Sequence, residues 1–249
     1  MDLHFIVFSE DQGAAATQVV KAFAKRLFQH IEPSVPTQCL DFVPDLNHRS
    51  VMSGNSWKGK KTTPETVRLR QAIANYLREP KAFVVFHTDG DTKWSNFEGS
   101  ENRALFIKNI VLPVKVLLSG AKLNGAQMTT TDVDLAAARL LHVVPHYSIE
   151  AWLYQNIERC RYYGKPGDHA LLDAWEKDPA ALDEVLMPKE SLSFGSRYSH
   201  DLATTNFPTQ RLHAAKASFV ACAEQFKANV QLAEQLKSLS NPTDEGTTA

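Results

Sequence analysis

Four short apolar segments alternate with longer amphipathic stretches along the first part of the chain. Each segment is rich in β-branched or aromatic residues and is bounded by polar or turn residues, which is typical of a buried strand. The segments are Leu3–Phe8, Thr37–Val43, Ala82–His87 and Leu141–His146. The first and third are nearly continuous apolar runs, as expected of central parallel strands that are covered on both faces.

The stretches between these strands have helical periodicity. Apolar residues recur at spacings of three and four over Gly13–His30 and again over Thr63–Leu77. Thr63 is a plausible N-cap, because a proline follows it at the first helical position. This alternation of strand and helix predicts an α/β fold in which the carboxyl ends of parallel strands meet at one edge. Residues 102–118 fit either one helix or a helix followed by a strand, because Pro113 interrupts the pattern.

After Ser148 the pattern is mostly helical. It includes Ile149–Arg161 and a long amphipathic segment, Leu212–Leu239, that is predicted as a continuous helix. We therefore expect an α/β core over residues 1–160, a helical C-terminal extension over 161–240 that packs on the core, and a flexible tail over 241–249.

Composition narrows the class of protein. The 249 residues include 27 basic and 28 acidic side chains, which excludes a highly basic nucleic-acid coat but not a local basic patch. No apolar run approaches the ~20 residues that a membrane helix needs, and the first apolar segment is too short for a signal peptide. The three cysteines lie far apart and outside any CxxC motif, so we expect neither a disulfide framework nor a thiolate zinc site. A cytoplasmic protein that does not contact a membrane is the expectation.

Acidic residues follow three of the four predicted strands. Glu10 follows the first, Asp89 and Asp91 follow the third, and Glu150 follows the fourth. Because the strand ends converge, these carboxylates would repel one another unless a cation neutralised them. Hard oxygen ligands of this kind suit Mg²⁺ or Mn²⁺.

Each acid also has a simpler interpretation when it is taken alone. Asp89-Gly90 is an ordinary turn dipeptide, and Glu150 is favoured by the dipole of a helix that Ser148 is predicted to cap. Glu10 could be a first-turn acid, and Asp11 could be the ligand in its place. A zinc hydrolase is an alternative enzyme; its ligands would be Asp89 with three histidines, namely His87, His142 and His146.

A basic segment is the second candidate feature. Residues 49–70 hold six basic side chains and a single acid. We predict that the loop over Lys58–Lys61 is exposed and mobile and binds the phosphate backbone, with an aromatic side chain nearby to stack on a base. A solvated surface is the simpler alternative. The candidate nucleic-acid-binding residues are Trp57, Lys58, Lys60, Lys61 and Arg68.

An acid after the first strand, the Asp89-Gly90-Asp91 motif after a later strand and a further acid downstream resemble the Toprim domain of topoisomerases, DnaG-type primases and OLD-family nucleases. The sequence is more similar to small stand-alone bacterial Toprim-like proteins that are encoded beside ABC-type ATPases in phage-defence loci. SIEAWLYQN, residues 148–156, and KASFVACAEQF, residues 216–226, carry that likeness. The first motif departs from the family pattern, because Asp11 and Gln12 separate Glu10 from the glycine.

The resemblance implies a Rossmann-like Toprim sheet and Mg²⁺-dependent cleavage of phosphodiester bonds in DNA or RNA, including tRNA. Asp89 and Asp91 would hold the ion, Glu10 would be a ligand or a general acid/base, and Glu150 would assist a second ion. Lys93 would approach the developing phosphate charge. The chain has no P-loop motif, so a separate ABC-type ATPase would supply nucleotide hydrolysis. The protein would be an effector in anti-phage defence.

The alternative function is a non-catalytic α/β adaptor, or the metal-binding subunit of such a complex. The altered first motif favours this alternative. The sequence leaves open whether the chain forms homo-oligomers.

Overall fold

A parallel sheet of four strands forms the centre of the protein. The structure, a computed structural model, describes residues 2–11, 14–123 and 125–241. The strands of the chain, including a small hairpin formed by the fourth and fifth, are β1 Leu3–Ser9, β2 Leu40–Pro44, β3 Ala82–His87, β4 Lys122–Leu123, β5 Ala126–Gln127 and β6 Leu140–Val143. The sheet order is β2-β1-β3-β6, with every neighbouring pair parallel. The fold is thus α/β with a Rossmann-like sheet, as the alternating pattern predicted.

Helices flank the sheet on both faces. The α-helices are α1 Ala14–Ile31, α2 Arg49–Ser53, α3 Pro64–Arg78, α4 Glu101–Phe106, α5 Leu112–Ser119, α6 Thr130–Ala138, α7 Glu150–Leu153, α8 Ile157–Tyr163, α9 His169–Lys177, α10 Pro188–Ser191, α11 Ser199–Thr204, α12 Thr209–Ala215, α13 Ser218–Lys227 and α14 Val230–Ser240. Short 3₁₀ helices cover Thr37–Cys39, Ser56–Lys58, Trp94–Gly99, Pro166–Asp168, Pro179–Glu184 and Gly195–Tyr198. A π-helical turn, Ile107–Val111, joins α4 to α5.

Successive side chains of β3 point to opposite faces of the sheet, and each face packs in its own apolar core. Phe83 and Val85 of β3 belong to the first core, which α1, α11 and α13 cover. Val84 and Phe86 belong to the second, which includes residues of α3, α5 and α6. Ile157 and Cys160 of α8 lie in the first core together with residues of α9 and of α11 to α14. Residues on both sides of position 160 therefore share one apolar core.

The early elements lie close to their predicted bounds. Thr63 accepts a hydrogen bond from the Thr66 amide at 3.2 Å, which confirms the predicted cap of α3. Residues 101–119 are helical throughout, which settles the alternative left open by Pro113. Pro113 has no amide to donate within this run, and the carbonyl four residues earlier, that of Asn109, accepts a hydrogen bond from Arg70 Nε at 2.6 Å.

Other predicted bounds are wrong. The second strand begins at Leu40, because Thr37–Cys39 forms a 3₁₀ turn, and the last strand ends at Val143, before Pro145. The predicted helix Ile149–Arg161 breaks into α7 and α8. The predicted helix Leu212–Leu239 is three helices, α12 to α14. Of the predicted tail, residues 242–249 lie outside the described residues.

Candidate functional site

The loop that follows β3 is held against the loop that follows β6. The Gly90 amide donates to the Pro145 carbonyl and the Asp91 amide donates to the Tyr147 carbonyl, both at 2.9 Å. A Cβ on Gly90 would lie 3.1 Å from His146 Nδ1 and 3.1 Å from the Pro145 oxygen. Glycine therefore permits this close approach, which fixes the two aspartates on either side of it.

The acids after β1 and β3 lie together. Glu10 Oε2 accepts a hydrogen bond from the Asp89 amide at 3.3 Å. The Lys58 ammonium lies 2.8 Å from Glu10 Oε1 and 3.9 Å from Asp91 Oδ2. Asn102 Nδ2 donates to Asp91 Oδ2 at 2.6 Å and to the Asp89 carbonyl at 2.8 Å. The structure thus gathers Glu10, Asp89 and Asp91 at the carboxyl ends of the two central strands.

Asp89 is the electrostatic centre of this cluster. Burial raises its pKa well above the ordinary value, and four carboxylates, those of Asp11, Glu150, Glu10 and Asp91, raise it further. Asp89 Oδ1 accepts a hydrogen bond from the Ile149 amide at 3.2 Å. This bond links Asp89 to the segment that carries Glu150. Ionisation of Asp89 is therefore unfavourable in free energy, and a nearby cation would reduce that penalty.

Glu150 is buried, with 6% of its surface exposed. Burial raises its pKa, and Asp11 adds to the increase, whereas the Ser148 hydrogen bond and Lys189 oppose it. The Ser148 hydroxyl donates to Glu150 Oε2 at 2.7 Å, so it does not cap α7 as predicted. Ile149 occupies the N-cap position, without a side-chain cap bond.

Asp11 also belongs to the acidic cluster. The sequence predicted it only as an alternative to Glu10 as a metal ligand. Asp11 and Glu150 both line a cavity of about 170 Å³ beside α1. Burial raises the pKa of Asp11, and Lys189 opposes that increase. The two residues that separate Asp11 from α1, Gln12 and Gly13, lie outside the described residues.

The donor chemistry of the cluster fits a hard divalent ion, since four carboxylates raise the pKa of Asp89 and burial raises the pKa of Asp11, Asp89 and Glu150. In the described ranges, however, no three His, Cys, Asp or Glu side chains converge closely enough to hold one ion. The Lys58 ammonium places a positive charge beside two of these acids, 2.8 Å from Glu10 Oε1 and 3.9 Å from Asp91 Oδ2.

One histidine of the zinc alternative lies near Asp89, because His87 Nε2 is 3.8 Å from Asp89 Oδ1. His87 is fully buried, its Nδ1 lies 3.1 Å from Ser9 Oγ, and burial lowers its pKa to about 4. His142 Nε2 lies 2.8 Å from Thr88 Oγ1. His146 packs against the turn at Gly90. Among the described residues, these rings and Asp89 do not converge closely enough to form a zinc site.

The basic segment differs from its prediction at two residues. Trp57 is fully buried and packs edge-on against Phe86, with ring centroids 5.2 Å apart, so the predicted stacking on a base is wrong. The 3₁₀ turn at Ser56–Lys58 directs the indole into the second core. The Lys58 side chain is only 14% exposed and is paired with Glu10, so it is not part of an exposed loop.

The other candidate bases lie on the surface. Lys60 and Lys61 are exposed, as is Lys93 at the start of the 3₁₀ helix Trp94–Gly99. Arg68 is exposed and pairs with Glu65 at 3.0 Å. The structure brings Lys58 to the acids and leaves Arg68 in a surface ion pair on α3.

Comparisons with protein-family models, curated proteins and solved structures find no match for this chain. Within the part of the chain that the structure describes, no helix has both the length and the apolar character needed to span a membrane.

Proposed function

We propose that the chain is a Mg²⁺-dependent, Toprim-like nuclease that cleaves phosphodiester bonds in DNA or RNA. The observation that carries the proposal is the raised pKa of Asp89 among four further carboxylates at the carboxyl ends of parallel strands. Perturbed carboxyls in one crevice are typical of sites that bind ions or transfer protons. Ligands at this edge also follow the general rule for open α/β sheets.

In this proposal Asp89 and Asp91 would hold one divalent ion, Glu150 would assist a second ion, and Glu10 would be either a ligand or the general base. A bound ion would stabilise charge on the scissile phosphate and activate a water molecule. The chain itself contributes orientation: Asn102 fixes Asp91, and the Ser148 hydroxyl fixes Glu150. The exposed Lys60, Lys61 and Lys93 would bind the phosphate backbone outside the crevice. A separate ABC-type ATPase would act as the partner in anti-phage defence.

The test compares Asp89→Asn with the matched surface change Asp134→Asn. Asp134 is 58% exposed on α6 and pairs with Lys115 of α5 at 2.7 Å. Asp89→Asn removes a repelled charge, so it should raise the melting temperature in EDTA by about 2–4 °C for each kcal/mol relieved. It should also abolish most of the stabilisation by Mn²⁺ and lower Mg²⁺-dependent cleavage about 100-fold or more. Asp134→Asn should leave the Mn²⁺ increment and the cleavage rate unchanged.

Thermal melts with EDTA and with Mn²⁺, together with cleavage assays on single- and double-stranded DNA and RNA, provide the measurements. Equal stabilisation of wild type and Asp89→Asn by Mn²⁺ would contradict the proposed ligand. So would cleavage by the variant at the wild-type rate.

A non-catalytic adaptor is the second candidate, and the Lys58 contacts favour it. An ammonium that already neutralises Glu10 and Asp91 lets the acids serve as a metal-free structural element. For this candidate we expect no Mn²⁺ increment and no cleavage in wild type. Lys58→Met should then lower the melting temperature in EDTA, because two carboxylates lose their cation.

A further inference from the structure

A cavity of about 400 Å³ lies at the open edge of β6, outside the acidic cluster. Among the described residues, β6 pairs with β3 alone, and no strand neighbours its other edge. α13 belongs to the first core and α4 to the second, and residues of both helices line the cavity. The volume lies in the range of small-molecule binding pockets. Five rings contribute to its wall, from Trp94, Phe97, Phe106, His142 and His146.

The aromatic wall is ordered by ring-on-ring contacts. Trp94 stacks on Phe97 with ring centroids 4.6 Å apart, and it meets His146 edge-on at 5.2 Å. Phe106 stacks on His142 at 3.8 Å. Burial lowers the pKa of His146 to about 4 and lowers that of His142 well below its ordinary value, with Arg103 adding to both effects. Both imidazoles are therefore neutral at physiological pH and present flat, uncharged surfaces.

Arg103 places a positive charge in this aromatic setting. Its guanidinium carbon lies 5.2 Å from the Phe97 ring centroid. Its charge also acts on His142, His146 and Cys222, which places it at the cavity. No carboxylate of the described ranges lies within ion-pairing distance of it. Arg103 is thus available to an electron-rich ligand, by stacking or by bidentate hydrogen bonds.

The backbone of the β6 edge adds weakly satisfied polar groups. The His142 carbonyl accepts a hydrogen bond from Cys222 Sγ at 3.8 Å, and a thiol is a weak donor. Edge-strand groups of this kind retain capacity for a stronger partner. The cavity therefore combines flat apolar walls, one cation and a polar edge, which are the three features that a planar heteroaromatic ligand uses.

The cavity adjoins the acidic cluster through shared structure. Asn102 contacts Asp91, and the next residue of α4, Arg103, faces the cavity. His146 lines the cavity, and its Nδ1 lies against Gly90 between the two aspartates of the cluster. A ligand that fills the cavity therefore lies next to the turn that carries Asp89 and Asp91.

We propose that this cavity binds one unstacked nucleobase of a single-stranded nucleic acid and so presents the adjoining phosphate to the acidic cluster. The link to the acids rests on the proposed nuclease function, whereas base binding rests on the cavity alone. Aromatic stacking with arginine is a common mode of single-strand recognition, and a duplex keeps its bases stacked and out of reach. An aliphatic ligand would leave Arg103 unpaired, and a cationic ligand would be repelled by it.

The test measures binding by fluorescence anisotropy of a labelled single-stranded oligonucleotide, in EDTA so that cleavage cannot interfere. Trp94→Ala and Arg103→Gln are each expected to weaken binding at least about tenfold. Trp94→Phe keeps a stacking face and should retain most of the affinity. Arg78→Gln, a change at an exposed residue at the end of α3, is the matched control and should bind as wild type. Unlabelled duplex of the same sequence and nucleoside 5′-monophosphates serve as competitors, and both should compete more weakly than the single strand.

Binding that is unchanged in Trp94→Ala and Arg103→Gln would overturn the proposal, as would competition by mononucleotide or duplex at concentrations equal to or below those of the single strand. Cleavage assays with Mg²⁺ on Trp94→Ala and Arg103→Gln, run beside the binding measurements, separate the two proposals. If binding depends on Trp94 and Arg103 but no metal supports cleavage, the base site stands and the nuclease function fails. If metal-dependent cleavage is present but both cavity variants bind and cleave normally, the nuclease function stands and the base site fails.

Discussion

At the scale of single residues, one buried carboxyl outside the acidic cluster has a strongly perturbed pKa. Asp183 is 3% exposed, and burial raises its pKa to about 7. It accepts hydrogen bonds from the Ser218 hydroxyl at 2.5 Å and from the Ser218 amide at 3.4 Å. The Trp152 indole donates to the same hydroxyl at 2.6 Å. This network anchors the first residue of α13, which lines the cavity at the β6 edge.

The raised pKa of Asp183 predicts a pH dependence of stability. The folded pKa of about 7 lies above the unfolded value of about 3.9, so the folded protein retains a proton that the unfolded chain releases. The contribution of Asp183 to the free energy of unfolding is fully present below the unfolded pKa. It is lost as the pH rises through the folded pKa. Asp183→Asn should therefore gain stability relative to wild type between pH 5 and pH 8.

Urea unfolding of both proteins at the two pH values measures this gain, and the comparison cancels any constant effect of the amide. Asp134→Asn, at the exposed surface, should give the same difference from wild type at both pH values. A wild-type minus Asp183→Asn difference that does not change with pH would show that Asp183 does not titrate in this range.

Two neighbouring residues of the basic segment have surroundings that the sequence does not predict. Trp57 and Lys58 lie among glycines and lysines, a composition typical of an exposed loop. Their burial depends on partners that follow other strands: Phe86 for the indole and Glu10 for the ammonium. Local composition carries no information about such partners, so it predicts exposure where the structure has burial.

At the scale of elements, the C-terminal helices have the clearest mismatch between pattern and structure. The apolar periodicity continues from α12 to α14, although the backbone breaks twice. Lys216 has a left-handed φ of 49°, and the Asn229 side chain caps α14 by accepting from the Leu232 amide at 3.1 Å. No glycine or proline marks either break, so the pattern gives no local signal of the change in direction.

The break at Lys216 can be tested with glycine. A side chain in the left-handed region costs about 1–2 kcal/mol, whereas glycine adopts it freely but gains entropy in the unfolded chain. Lys216→Gly should thus leave the free energy of unfolding unchanged or raise it by up to about 1 kcal/mol. Glu234→Gly, at an exposed position inside α14, should cost about 1 kcal/mol and serves as the control. Equal losses in both variants in urea unfolding would mean that residues 212–239 form the continuous helix that the pattern predicted.

The strands were more predictable than these helices, for a physical reason. β1 and β3 are central and covered on both faces, so burial imposes a nearly continuous apolar run that stands out in the sequence. The predicted bounds of β3, Ala82–His87, agree with the structure. β6 lies at an edge, and its predicted end was wrong because the apolar run continues past the last paired residue, Val143.

At the scale of the whole molecule, the C-terminal half completes the first core. Phe23 of α1 packs edge-on against Phe207 with centroids 5.3 Å apart. Trp152 of α7 packs against Phe219 at 5.4 Å. These contacts bury side chains on the same face of the sheet as Phe5. Removal of the C-terminal helices would expose that face to water.

A fragment of residues 1–160 is therefore expected not to fold cooperatively. It keeps the strands but loses the cover of α11 and α13 over one core, a loss far larger than the margin of stability of a typical domain. Circular dichroism melts and the dispersion of amide resonances of the fragment provide the measurement, with the full chain as the control. A sharp melt and well-dispersed resonances would establish residues 1–160 as an independent domain.

The edge at which the acids meet could be anticipated, because parallel topology brings strand ends together whatever the rest of the chain does. The sequence could not indicate which cation balances them. That depends on where a lysine from a distant 3₁₀ turn lies, and Lys58 is placed by the burial of the indole beside it.

Because the Lys58 ammonium lies beside Glu10 and Asp91, a divalent ion that binds the acidic cluster would have to displace it. A divalent ion entering between Glu10 and Asp91 meets an ammonium 2.8 Å and 3.9 Å from their oxygens, and the two cations cannot share that space. Entry of the ion would therefore release the ammonium, which would need a new anion close by. A phosphate arriving at the same crevice is such an anion. Ion and substrate would then assist each other's binding by the same factor, with one displaced lysine as the link between them.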